Sequence, residues 1–363
     1  MTQSSLLSKD SIRPVFLALL ITSYYHDSAV QHTIEMVCSS RFFQPETPEY
    51  GHLFLYIIDN GRTFGEKDEW NYRIVPNRNT GGSGGFGRGI EEVRKNFDAY
   101  PVTHIIFMDD DAEADAETLY RTYYVLQHLK EKVRDSVLAG RMYDARRREL
   151  QYTACEIWNR GELQHVEFNV PDADIPADEI SAAEGEYTGW WYAVYPWTFV
   201  KDNDSLPFFL HCDDVEYGLR FNRAVPADQR TEHPIIVKGI QVRHEIAADR
   251  PSKLINEYYD RRNPLIVNAL YGLLPDMDTL YANWFDSITK AHVTGDYQTE
   301  YYRIRAFRDF LKGKQWLYRV DAERNHERLK AHKASRFENA LLWRLTRALF
   351  CRRKKSGWKW AES

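Results

Sequence analysis

Three short apolar runs govern the first 110 residues: VFLALLIT (Val15 to Thr22), LFLYII (Leu53 to Ile58) and HIIFM (His104 to Met108). Each is too short for a buried helix, rich in β-forming residues and bounded by polar or turn residues, which is how a strand buried on both faces reads. Tyr72 to Val75 is a further short strand. Helix-like segments alternate with these runs: one opens over Ile90 to Phe97, and Asp115 to Lys130 reads as another, with acids in its first turn where the helix dipole favours them. Strands alternating with helices build a mostly parallel sheet. Ligands of such sheets gather at the carboxyl ends of the strands. The turn DNG, the glycine-rich NRNTGGSGGFGRG and the triple DDD all fall at that edge.

The chain has 363 residues, room for one large α/β domain with extensions or for two domains. With 43% hydrophobic residues it can build a core, and 28% charged residues with a net charge of −5 argue for a soluble surface and against a nucleic-acid partner. Cys38, Cys155, Cys212 and Cys351 are scattered without CxxC or zinc-type spacing and read as reduced thiols of a cytoplasmic protein. Val15 to Tyr25 is apolar but too short to cross a bilayer, and no small-residue cleavage site follows it.

Four clusters carry chemistry. In FMDDDA, Asp109 and Asp111 alternate on an extended segment and so point to one side, while Asp110 faces elsewhere. Such oxygen ligands suit a hard divalent cation such as Mg²⁺ or Mn²⁺; an acidic turn ahead of a helix is the plainer reading. HCDDVEYGLR (His211 to Arg220) places Asp213 at the N-cap of a helix and Asp214 and Glu216 in its first turn, either as helix-start acids alone or as a general base with its neighbours. PIIVKGIQVRHE is a strand ending at His244, a third metal ligand or a structural histidine. In GWWY, Trp190 and Trp191 would face opposite ways on a strand, one inside and one as a platform for a sugar ring, or both would serve packing.

Six glycines lie between Gly81 and Gly89, including an apparent GxGxxG at Gly82, Gly84 and Gly87. A dinucleotide fingerprint should follow the first strand of its fold directly, yet here two or three strands precede it and PNRNT intervenes. No Gly-Lys-Ser/Thr follows, so a P-loop is excluded.

In order along the chain, LLITSYYH, IIDNG, NRNTGGSGGFGRG, FMDDDA, GWWY, HCDDVEY and VRHE resemble the inverting family 2 glycosyltransferases of GT-A fold, and most closely the bacterial galactofuranosyltransferase branch. The likeness spans roughly residues 15 to 265. It implies an α/β, Rossmann-like, mixed and mostly parallel sheet of the nucleotide-diphospho-sugar transferase type with a helical C-terminal extension. The expected division is a catalytic domain over 1–265 (a nucleotide-sugar half over about 10–135 and an acceptor half over about 136–265) and a helical region over 266–363. The resemblance implies a divalent metal, Mn²⁺ or Mg²⁺, on Asp109, Asp111 and His244, and Asp214 as catalytic base. Trp190, Trp191, His211, Asp213 and Glu216 then fall where acceptor or donor sugar is held. Thr22, Asp59, Asn60, Asn79, Gly82, Gly84, Gly85, Arg88 and Asp110 fall where the nucleotide sugar lies, the glycine loop forming its wall. The implied partners are a UDP-sugar, with galactofuranose preferred over rhamnose or another hexose, and a glycan or lipid-linked saccharide acceptor. A homo-oligomer is left open.

The last stretch pairs an apolar face (Leu341, Leu342, Leu345, Leu349, Phe350) with Arg344, Arg347 and the basic run Arg352 to Lys355, followed by Trp358 and Trp360. This suits a helix lying on the cytoplasmic face of an inner membrane; a core or dimer-packing helix is the alternative.

Overall fold

The computed structural model describes residues 6–8, 12–177, 179–246 and 252–362. They form two compact units: Met1–Trp158 with Leu163–Leu206 and Asp214–Asp249, and Asn159–Glu162 with Pro207–Asp213 and Arg250–Ser363. The helical unit thus starts before residue 266, and the short segment ahead of Asp214 groups with it.

The first unit is built on four parallel strands that follow the apolar runs: β1 (Leu17–Ser23), β2 (Leu53–Asp59), β4 (Tyr72–Pro76) and β5 (His104–Asp109). Helices α1 (Asp27–Ser39), α2 (Gly81–Asn96) and α3 (Ala116–His128) alternate with them, and β3 (Lys67–Glu69) pairs antiparallel on the edge. The second half adds β6 (Leu138–Asp144), β7 (Leu150–Thr153), β10 (Val170–Pro171), β11 (Ile180–Ala182), β12 (Ala193–Pro196) and β13 (Ile235–His244). Strands β8 (Cys155–Asn159) and β9 (Glu162–Val166) form a ribbon of their own. Among the described residues the main sheet runs β10-β7-β6-β12-β5-β1-β2-β4-β3, with β13 parallel beside β6 and β11 beside β13. The outcome is the mixed, mostly parallel α/β sheet expected.

Alternation along β1 shows why its run is unbroken. Leu17, Leu19 and Ile21 pack into one cluster with Val30 and Ile34 of α1 and Leu119 of α3, while Ala18 and Leu20 pack on the other face with Phe86 and Ile90 of α2. A strand covered on both sides has no face left for polar residues.

The glycine-rich stretch is not a loop. It forms the first turns of α2, which begins at Gly81 rather than near Ile90. Gly81 opens the helix at φ +71°, a left-handed conformation that glycine adopts without steric cost. A Cβ on Gly85 would lie 2.1 Å from Thr22 Cγ2, and one on Gly89 would lie 3.1 Å from Leu20 Cδ1. These two glycines, one turn apart, let α2 sit directly on β1. That packing overrides the poor helix propensity of glycine.

The second unit is helical. A π-helical turn (Ile255–Tyr259) leads into α6 (Asp260–Tyr271), followed by α7 (Met277–Val293), α8 (Tyr297–Phe310), α9 (Lys314–Arg319), α10 (Ala322–Ala331) and α11 (Arg336–Lys355); the first unit carries α4 (Trp197–Val200) and, from Asp214 on, α5 (Asp213–Ala224). Trp284 of α7 stacks on Phe307 of α8 at 5.1 Å, and Tyr281 packs on Phe350 of α11 at 4.7 Å. On α11 the buried face is Asn339, Thr346 and Phe350. Leu341 and Leu345, expected on one face with Phe350, instead point outward because they lie roughly opposite it around the helix.

Candidate active site

The register of the parallel strands brings the motif ends together: Thr22 pairs with Asp109, Ser23 with Asp59, and Asp59 with Pro76. Their carboxyl edge is therefore lined by the DNG turn, the start of α2 and the acidic turn.

β13 supplies the third metal-ligand candidate through a backbone clamp. Glu113 N–H donates to Arg243 O at 2.8 Å and Arg243 N–H donates to Glu113 O at 3.0 Å, tying the segment after Asp111 to the end of β13. The clamp sets His244 Nε2 2.9 Å from Asp111 Oδ1 and 3.7 Å from Asp109 Oδ2. One ligand atom from each of Asp109, Asp111 and His244 lies within 4.8 Å of the others. His244 Nδ1–H donates to Glu245 O at 2.7 Å, so Nε2, the nitrogen that faces the two carboxylates, is the one that would ligate a metal. Burial lowers the basicity of His244, but the Asp111 hydrogen bond and the charges of Asp109 and Asp111 outweigh it and raise its pKa. Two carboxylates and an oriented imidazole fit a divalent metal of the Mn²⁺ or Mg²⁺ kind.

Asp110 turns the other way. Its carboxylate faces His26 Nδ1 at 2.9 Å and accepts from Tyr24 N–H at 2.9 Å. Burial raises its pKa, with both hydrogen bonds opposing. His26, Asp110 and Asp111 also lie within mutual reach, but the imidazole is there engaged with Asp110. His26 closes the LLITSYYH stretch, but no role was expected of it.

The remaining nucleotide-side candidates build the wall rather than offer loose groups. Asp59 is fully buried and accepts from Gly61 N–H and Phe64 N–H, which closes the DNG turn. Asn60 donates to Gly81 O at 3.0 Å and accepts from Asn77 Nδ2 at 2.8 Å, while Asn79 Oδ1 accepts from Gly81 N–H. These bonds fix the N-terminus of α2, which has no side-chain cap on Thr80. The N-terminal turn of a helix suits an anion. The Thr22 hydroxyl is buried against Gly85 with no hydrogen-bond partner among the described residues. Gly82 and Gly84 sit in the first turn of α2, with Gly84 against the Thr80 side chain. Arg88 is engaged on its own helix with Glu91 and Glu92. Asn77 opens the NRNTGGSGGFGRG stretch, but nothing in the sequence marks it as the brace of Asn60.

The tryptophan pair departs from expectation. Trp190 and Trp191 lie in a turn before β12, not on a strand. Trp190 is buried: its ring stacks on Phe107 at 4.6 Å and meets Phe86 and Tyr217 edge-on. Its faces are consumed by the core and cannot stack on a sugar. Trp191 is half-buried and donates from Nε1 to Gly140 O at 2.9 Å.

At HCDDVEY the helix α5 begins at Asp213 itself, so Asp213 is its first helical residue and not the N-cap. Asp214 is half-exposed, and its Oδ1 accepts from Val215 N–H at 2.7 Å. Glu216 is buried and paired with Arg220 at 2.8 Å, a structural tie rather than a group poised for an acceptor. Tyr217 and Phe221 seat α5 in the same aromatic cluster as Trp190.

Within the helical unit, Phe209, His211 and Cys212 all adopt positive φ (78°, 60° and 66°), a run of strained residues immediately before the acidic pair. Asn263 Nδ2 donates to Leu210 O and His211 O, Arg262 Nη2 donates to Phe208 O at 2.6 Å, and His211 Nδ1 faces Asp260 Oδ1 at 2.6 Å. Asp260, Arg262 and Asn263 were missed in the sequence, although YYDRRN concentrates polar residues inside an aromatic run.

In sequence the chain is similar to glycosyltransferases. It is 26% identical over 258 residues to galactofuranosyltransferase GlfT2 of Mycolicibacterium smegmatis, covering 67% of this chain and 38% of that protein. It is 24% identical over 259 residues to GlfT2 of Mycobacterium tuberculosis, covering 67% and 39%. The match thus spans less than two-fifths of the length of these curated relatives. No family model matches the chain. Among solved structures, mannosyltransferase PcManGT from Pyrobaculum calidifontis in complex with GDP-Man and Mn²⁺ superimposes at a TM-score of 0.41 and 8% identity over 94% of this chain and 77% of that one, too loose to carry an argument.

Proposed function

We propose that the chain is a metal-dependent, inverting glycosyltransferase that moves a sugar from a nucleotide donor to a hydroxyl of a glycan or lipid-linked saccharide. UDP-galactofuranose is the preferred donor, on the sequence likeness to the GlfT2 relatives; a rhamnosyl or other hexosyl donor is the alternative. The carrying observation is the convergence of Asp109, Asp111 and His244 at the carboxyl edge of a parallel sheet.

A divalent cation held by these three would neutralise the donor diphosphate and ease its departure. The chain's own groups do the rest. His244, with its proton held on Nδ1 by Glu245 O, offers Nε2 in one orientation. The start of α2, which has no side-chain cap from Thr80, faces the same edge. Asp214 stands in the first turn of α5, where the dipole favours a charged carboxylate. It would take the proton of the acceptor hydroxyl as that oxygen bonds to the anomeric carbon and the bond from that carbon to the diphosphate oxygen breaks. Attack opposite the leaving group inverts the anomeric centre. His211 and Asp213, just ahead of the base in sequence, are assigned to the acceptor. Placement of the chain at the cytoplasmic face of a membrane would give it a lipid-linked substrate.

Release of the nucleoside diphosphate from a panel of nucleotide sugars, with Mn²⁺ and with chelator, tests the reading. Turnover of UDP-sugars that needs metal supports it, with NMR of the product reporting inversion. Indifference to chelator, or binding of NADH in place of UDP, would overturn it.

A further inference from the structure

Helix α11 (Arg336–Lys355) has two faces with different fates. Its inner face is fixed: Asn339 Nδ2 donates to Tyr297 O and Glu300 Oε2 at 2.9 Å, Phe350 packs on Tyr281 and Phe307, and Arg353 Nε donates to Leu311 O at 3.0 Å. The helix therefore needs no further partner to stay folded.

The outer face is apolar and basic. Phe337, Leu341 and Leu345, four residues apart and so on one stripe, are 89%, 60% and 50% exposed. Arg344, Arg352 and Lys355 share the outward side, and none has an acidic partner among the described residues. The only acid of α11, Glu338, is turned to His332. No helix among the described residues is long and apolar enough to cross a membrane.

We propose that this face of α11 docks on an anionic lipid surface. Phe337, Leu341 and Leu345 would enter the boundary between headgroups and acyl chains, while Arg344, Arg352 and Lys355 reach lipid phosphates. The occupant follows from charge: the charged residues that α11 turns to this side, Arg344, Arg352 and Lys355, are all positive, and they flank the apolar stripe. The stripe differs from the one the sequence suggests, since Leu342 and Leu349 are half-buried and Phe350 is in the core. Lipid binding is separable from sugar transfer, because none of these residues belongs to the proposed site.

The test is co-sedimentation of the full chain with phosphatidylcholine vesicles that contain or lack phosphatidylglycerol. Binding to the anionic vesicles alone, weakened by salt, is expected. Leu341→Asp/Leu345→Asp should abolish it. Arg344→Ser/Arg352→Ser/Lys355→Ser should weaken it about fivefold per charge, roughly a hundredfold together. Both variants change only exposed positions, so circular dichroism and UDP binding should match the parent. Cys351, exposed on the same helix, carries an environment-sensitive dye whose emission should shift to the blue with vesicles. Absence of binding to anionic vesicles, equal binding to neutral ones, or a dimer in sedimentation that Leu341→Asp/Leu345→Asp dissociates without any vesicle binding would each overturn the proposal.

Discussion

Alanine at Gly85 and at Gly87, two residues apart on α2, should move stability in opposite directions. At Gly87 an added Cβ meets nothing within 4 Å. Alanine there only reduces the entropy lost on folding, and should stabilise by about 0.5–1 kcal/mol. At Gly85 the same methyl would stand 2.1 Å from Thr22 Cγ2, 2.7 Å from Oγ1 and 3.0 Å from Cβ. Contact between carbons needs about 3.5 Å or more, so α2 or β1 must shift by over an ångström. Overpacking of that kind costs about 1–3 kcal/mol or more, which exceeds the gain in helix propensity. Thr22→Ala removes the two closest atoms, so Gly85→Ala/Thr22→Ala should recover most of the loss. Equilibrium urea unfolding reads the difference. With a slope of about 3 kcal/mol per molar urea, a net loss of about 2 kcal/mol lowers the midpoint by about 0.7 M. A neutral or stabilising Gly85→Ala would refute the seating of α2 on β1, and with it the shape assigned to the donor wall.

Further outcomes are expected elsewhere. Asp214→Asn should keep UDP affinity within about twofold while turnover falls by about 10²–10⁴, measured as separate binding and kcat values. Asn263→Ala leaves the Leu210 and His211 carbonyls without their donor and should lower stability by about 1–3 kcal/mol in thermal unfolding. Glu156 is buried, and burial raises its pKa despite the His165 hydrogen bond. A raised folded pKa stabilises the fold below the ordinary carboxylate range and loses that stability as pH rises through the folded value. Wild type should therefore gain on Glu156→Gln as pH falls from neutral toward the ordinary carboxylate range, followed as the difference in Tm.

The strands were legible because their burial on two faces leaves unbroken apolar runs, and the acidic motifs because their spacing is local. The glycine stretch misled because intrinsic propensity argues against a helix with six glycines in nine residues; close contact with Thr22 and Leu20 is a tertiary fact. Trp190 misled for a related reason, since an indole between a glycine and a second tryptophan carries no sign of whether its faces meet solvent or Phe107. His244 could be read from its place at a strand end as either a ligand or a structural histidine, and only the resemblance favoured the ligand. What brings it to Asp111 is the Glu113–Arg243 backbone clamp, which joins residues 130 positions apart and uses no side chain a motif could record. The strained segment before Asp214 was hidden likewise, because its braces, Arg262 and Asn263, come from α6.

Calorimetric titration of UDP into the wild type and Asp111→Asn, each with Mn²⁺ and with chelator, tests the proposed metal site most directly. Wild type should bind UDP at least tenfold more tightly with Mn²⁺, and Asp111→Asn should lose that enhancement while unfolding at a similar temperature. UDP affinity that ignores both the metal and the substitution would contradict the assignment of Asp109, Asp111 and His244.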